Sequence, residues 1–121
     1  MILLAGNEGS ATAISFTLIE LALNQEYQDN ARNEINSVLA KHGGEVSYDA
    51  ISDMKYLGNC LLESLRKRPP LPLNTRLCTK DYRIPETDVV IRKGTAILIP
   101  IYAVHRDPEY YPDPDKYDPS R

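Results

Sequence analysis

Apolar residues from Ile2 to Leu23 fall on almost every side of a 3.6-residue helix, the pattern of a helix enclosed by protein. In "NQEYQDNARNEINSVLAKHGG", Tyr27, Ala31, Ile35 and Val38 or Leu39 recur at helical spacing, and Gly43–Gly44 follow the last turn as a C-cap. That predicts a second, amphipathic helix. Ser47 offers an N-cap to a short helical turn in "SYDAISDM". In "KYLGNCLLESLRKR", Leu57, Leu61, Leu62 and Leu65 share one face until Pro69 and Pro70 end the helix. The character then changes: "TRLCTKDYRI" and "DVVIRKGTAILIP" are β-rich runs separated by "PETD", with "KGT" turning into a last apolar strand. "YAVHRDPEYYPDPDKYDPSR", rich in Pro, Asp and Tyr, reads as an irregular segment that needs another element to pack on. The pattern predicts one mainly α unit over residues 1–121, helical over 1–68, with a small β unit and irregular chain over 69–121.

One stretch conflicts with this. "AGNEGSATAISF", Ala5 to Phe16, places two glycines, an acid and hydroxyl residues inside the first helix, where each interior glycine costs roughly 0.5–1 kcal/mol relative to alanine. A break is expected there, which means either a kink with a binding role or a stretch that is not helical. A phosphate loop does not fit, because such a loop needs a lysine after its last glycine, whereas Gly9 is followed by Ser10–Ala11–Thr12, and Glu8 would repel phosphate.

Composition narrows the classes. With 42% hydrophobic and 26% charged residues, the 121-residue chain has the make-up of a folded domain, and a formal charge of −3 argues against nucleic-acid binding. Arg66, Lys67 and Arg68 form one short basic cluster suited to a helix C-terminus rather than a phosphate patch. Cys60 and Cys78 match neither a disulfide framework nor a metal-ligand spacing and read as buried small hydrophobes. His105 has no second ligand nearby and reads as structural. No apolar run reaches the ~18 residues of a membrane span, and no signal peptide follows Met1. The abrupt ends read as those of an internal piece of a longer protein.

Glu63 and Arg66 lie three apart in "LLESLRKRPPLP", side by side on a helix, where an exposed ion pair contributes roughly 0–1 kcal/mol. Their significance comes from company. In order along the chain stand the glycine-acid stretch, the E-x-x-R helix ending in "RPPLP", Arg76 in "LPLNTR", and "RDPEYYPDPDKYDPSR". Together these closely resemble the cytochrome P-450 family of haem-thiolate monooxygenases, from the long central helix over the haem to just before the cysteine loop. Animal microsomal members, insect types among them, match best. The resemblance covers essentially all of the chain and implies a C-terminal-half fragment of that fold.

The resemblance implies roles residue by residue. Glu63, Arg66 and Arg121 would form the family's buried ion network. Arg76 would bind a propionate of haem b, iron protoporphyrin IX, which suits a guanidinium fork. Leu73, Asn74 and Thr75 would face an apolar small-molecule substrate. Ala5 and Gly6 would give a flat macrocycle clearance against the helix. In the family's A/G-G-x-D/E-T-T/S pattern, the acid and threonine deliver protons to dioxygen as its O–O bond breaks. Glu8 and Ser10 match, but Gly9 occupies the threonine position, a departure that bears on proton delivery. The axial cysteine of F-x-x-G-x-R-x-C-x-G is expected after Arg121, so no metal ligand is expected within these residues. The parent would draw electrons from NADPH-cytochrome reductase, with cytochrome b5 as a second donor, on the cytoplasmic face of the endoplasmic reticulum through an N-terminal membrane anchor. The alternative is a non-catalytic truncated remnant unable to ligate haem iron.

Overall fold

The computed structural model describes the backbone of residues 2–121 and the side chains of residues 7–121. Helix α1 (Ile2–Leu23) is followed by α2 (Gln25–Lys41), α3 (Tyr48–Asp53) and α4 (Lys55–Lys67). Strands β1 (Asn74–Leu77), β2 (Tyr82–Arg83), β3 (Val90–Ile91) and β4 (Ala96–Ile99) come next, then the short helix α5 (Ile101–Val104). The mainly helical architecture with a small β unit agrees with the hydrophobic pattern. Two details do not.

First, α1 is continuous through Gly6 and Gly9, so the expected break is absent. Glycine retains both backbone hydrogen-bonding groups. Its penalty of roughly 1 kcal/mol is outweighed when a long helix packs on neighbours, as α1 does on α4 and α2. Second, "IYAV" forms a helical turn where irregular chain was expected, with Tyr102 N–H donating to Pro72 O at 3.0 Å and His105 N–H to Ile101 O at 2.9 Å.

The caps follow the local chemistry. Gly43 and Gly44 take positive φ (68° and 83°), and Gly44 N–H reaches back to Leu39 O at 2.8 Å, closing α2. Ser47 Oγ accepts from Ala50 N–H at 3.1 Å at the start of α3. The start of α4 is capped from another helix: Glu34 of α2 accepts from Tyr56 N–H at 2.8 Å and Leu57 N–H at 2.9 Å.

Two small apolar clusters hold the helices. Leu21, Ala31 and Cys60 join α1, α2 and α4, and Val38, Ala50 and Met54 join α2 to the α3–α4 region, with Leu57 packing against both. The expected leucine face of α4 is not its most buried one. Leu61 and Leu62 are exposed, while Cys60, Glu63, Ser64 and Arg66 are buried. Polar residues occupy the inside of α4 because the C-terminal segment folds back on them. Tyr117 is buried there, its OH donating to Cys60 O at 2.8 Å and its ring meeting Tyr27 edge-on at 5.7 Å. Burial pushes the Tyr117 phenol well above its ordinary range.

The β unit is two nested antiparallel pairs. β1 pairs with β4, Asn74 opposite Ile99 and Leu77 opposite Ala96, and β2 pairs with β3, Tyr82 opposite Ile91. Gly94, at φ 87°, makes the turn into β4 and donates to Cys78 O at 2.8 Å.

Candidate functional site

The densest polar cluster is built on α4. Three residues apart on one helix face, Arg66 and Glu63 form a paired contact, Nε to Oε2 at 2.7 Å and Nη2 to Oε1 at 2.8 Å, with both side chains 6% exposed. The hydrogen bonds it donates to Glu63 are the main cause that holds the Arg66 guanidinium above its ordinary value. Glu63 Oε1 also accepts from Asp118 N–H at 3.0 Å and Arg121 Nε at 3.2 Å. Arg66 spends its remaining donors on His105 O at 2.9 Å and Lys116 O at 3.2 Å, and lies over the Tyr111 ring at 5.2 Å. Arg121 continues outward to the carbonyls of Pro112, Asp113 and Lys116.

The structure thus brings Glu63, Arg66 and Arg121 into one network that ties "DPEYYPDPDKYDPSR" to α4. Its arrangement suits scaffolding, since each guanidinium nitrogen of Arg66 and Arg121 and both carboxylate oxygens of Glu63 bond to protein. His105 belongs to this scaffold, its Nδ1 lying 3.1 Å from Arg66 O.

A second cluster had no counterpart in the sequence reading. Glu20 of α1, fully buried, bonds Arg68 Nε at 2.7 Å through Oε1 and Lys67 Nζ at 3.0 Å through Oε2. Burial opposes the charge, but the hydrogen bonds from Arg68 and Lys67 outweigh it and hold the carboxyl below the usual glutamate range. The basic cluster of residues 66–68 is therefore divided between two buried carboxylates, not laid along a solvated helix end. A signal existed: a carboxylate in a helix apolar on all sides must find a cationic partner.

The remaining candidates lie apart from these networks. Glu8, Gly9 and Ser10 are exposed on α1, and a Cβ added at Gly9 would meet nothing within 4 Å. The side chains of Ala5 and Gly6 lie outside the described residues. Leu73 precedes β1 and is half exposed, while Asn74 and Thr75 lie in β1. Arg76 is exposed on β1, its Nη1 held by Asn74 Oδ1 and by Thr75 O at 2.8 Å. Among the described residues, Arg76 Nε and Nη2 have no hydrogen-bond partner, and no hydrogen bond joins residues 8–10 to residues 73–76.

An exposed helix surface of small residues and an arginine with free donors fit a flat, carboxylate-bearing group such as haem. The thiols do not fit as its axial ligand. Cys60 is enclosed between helices, where burial pushes its thiol up, and Cys78 is buried with its Sγ 2.9 Å from Lys80 O. Both are free cysteines, as expected of small buried hydrophobes. Among the described residues no His, Cys, Asp or Glu cluster could hold a metal ion, and no helix is long and apolar enough to cross a membrane.

The profile of a family described as cytochrome P-450 matches residues 1–121. The chain is 53% identical over 117 residues to a Drosophila melanogaster protein named "Probable cytochrome P-450 6d5", covering 97% of this chain and 23% of that protein. It is 45% identical over 117 residues to cytochrome P-450 6k1 of Blattella germanica, covering 97% and 22%. To cytochrome P-450 6d1 of Musca domestica it is 43% identical over 122 residues, covering 98% and 24%. The chain therefore spans about a quarter of the length of these relatives.

Proposed function

Because this chain belongs to the cytochrome P-450 family, we propose that the protein containing it is a haem-thiolate monooxygenase and that these residues form the part of its haem pocket between the central helix and the cysteine loop. The Glu63–Arg66–Arg121 network carries the reading: the E-x-x-R pair is buried and closed by a second arginine. The substrate is an apolar organic molecule, into which one oxygen atom of O2 is inserted while the other leaves as water. Electrons come from NADPH-cytochrome reductase, with cytochrome b5 as a second donor. The site of action is the cytoplasmic face of the endoplasmic reticulum.

When bound, haem b held by a cysteine thiolate would supply the oxygen activation. That cysteine belongs to a segment after Arg121. The chain's own residues bind and orient. Arg76 offers Nε and Nη2 to a propionate carboxylate while Asn74 and Thr75 fix its Nη1. Leu73 contributes apolar surface toward substrate. Glu8 and Ser10 are the groups that hold and pass protons, through water where the family's threonine hydroxyl is missing at Gly9.

The test is to express the full-length coding sequence, record the ferrous carbon monoxide spectrum, and measure NADPH-dependent oxygenation of a panel of apolar compounds. A band at about 450 nm with oxygenated product is the expected result. A reading frame that lacks a downstream cysteine motif, or a full-length protein without that band, would leave the truncated remnant as the correct reading.

A further inference from the structure

We infer that Glu20 is a positioning residue: its carboxylate ties the C-terminal end of α4, and with it the connector to Leu73 and Arg76, to the helix that carries Glu8, Gly9 and Ser10. The inference rests on the monooxygenase reading, since it concerns how two sides of one pocket are held relative to each other. On one side, Glu20 stands eleven residues after Gly9 on the continuous α1, roughly 16 Å along its axis. On the other, Lys67 is the last residue of α4 and Arg68 its C-cap, directly before the Pro69–Pro72 connector into β1. No hydrogen bond among the described residues links residues 8–10 to residues 73–76, so the spacing between the two is set indirectly. Among the described residues, the Glu20 clamp is the ion pairing that joins α1 to the chain leading into β1.

Its chemistry makes it stiff. One fully enclosed carboxylate faces two cations, each on its own oxygen, and the Arg68 guanidinium lies 5.8 Å over the Phe16 ring one turn earlier on α1. Without the carboxylate, Lys67 and Arg68 repel each other and move apart. In Glu20→Gln the side-chain carbonyl keeps Arg68, but the amide NH2 then confronts the Lys67 ammonium, donor against donor, and the end of α4 shifts. In Glu20→Gln with Lys67→Gln, the second amide offers a carbonyl to that NH2 and the clamp closes again.

The experiment uses the haem-loaded full-length protein in four forms: wild type, Glu20→Gln, the Glu20→Gln/Lys67→Gln pair, and Arg68→Gln. Three quantities are read on the folded, haem-containing fraction: the rate of haem transfer to an apoprotein acceptor, the spectral dissociation constant of a substrate, and product formed per NADPH consumed. Glu20→Gln should raise haem loss and the substrate constant about tenfold and lower product yield per NADPH, the double variant should recover most of each, and Arg68→Gln should give an intermediate change. If Glu20→Gln lowers only the yield of folded protein, with all three quantities unchanged, the positioning role is overturned and Glu20 is merely structural. If Glu20→Gln does not fold, Arg68→Gln decides: an intermediate change in all three supports the clamp, and wild-type values overturn it. A wild-type protein without a thiolate spectrum refutes the monooxygenase reading instead, before any variant is compared.

Discussion

Arg66 shows how much a single side chain can carry when it is removed from water. Its guanidinium holds Glu63 through two hydrogen bonds and the carbonyls of His105 and Lys116 through others, with both members of the pair 6% exposed. Replacing Arg66 or Glu63 by Ala in the full-length protein should remove roughly 3–5 kcal/mol, much of a domain's stability, because the partner is left as an uncompensated buried charge. The expected readout is loss of haem-loaded protein after purification; normal haem content in either variant would mean that the pair behaves as an exposed bridge. Gly9 is the opposite case, a residue with open space around its missing side chain. Gly9→Thr should therefore be tolerated by α1 and should raise the ratio of product to NADPH consumed, with less peroxide released, because a hydroxyl can hold the water that delivers protons. An unchanged ratio would assign that role to Ser10 or to water alone.

At the level of elements, both ends of α4 are secured by neighbouring helices. Glu34 of α2 caps α4, where no residue of the α4 sequence supplies a side-chain cap. Glu34→Ala should lower stability by about 1–2 kcal/mol, and Glu34→Gln by less because one acceptor survives, both measurable as a shift in the denaturant midpoint. The other end of α4 depends on Glu20, whose carboxyl is held below its ordinary value of 4.5 in the folded state. The unfolded chain therefore binds that proton more readily, so the clamp's contribution is fully present above pH 4.5 and is lost as pH falls through the lower folded value. Unfolding midpoints followed downward from neutral pH should fall more steeply below that point in wild type than in Glu20→Gln. Parallel curves would show that the carboxylate does not titrate with folding.

For the whole molecule, the balance of inside and outside is uneven. Leu18, Leu23, Leu62 and Leu98 are each more than half exposed, and an apolar groove of about 330 Å³ runs between α1 and the α3–α4 segment, lined by Ile14, Leu18, Ile51 and Leu61 among others. The 121-residue chain expressed alone should bind a hydrophobic dye and self-associate, and with added haem it should give no band at about 450 nm, since neither of its thiols is presented to a ligand. A thiolate spectrum from these residues alone would mean that Cys60 or Cys78 can reach iron. What the sequence by itself determined is whatever depends on near neighbours. Helical spacing, Ser47 as a cap, the paired glycines after α2, the proline stop after α4 and the strand runs all act within a few residues and persist in the fold. The order of motifs likewise pointed to the family. The tertiary structure alone decided which faces are buried and which charges meet. Glu20 lies 48 positions from Arg68, and Glu63 lies 58 from Arg121. No periodicity connects residues so far apart; only the packing of α1 on α4, and of the last segment on α4, brings them within hydrogen-bonding reach. The same packing explains why the polar side of α4 lies inside while Leu61 and Leu62 face outward: buried charge is stable where every partner is supplied, and in this fold those partners come from distant chain.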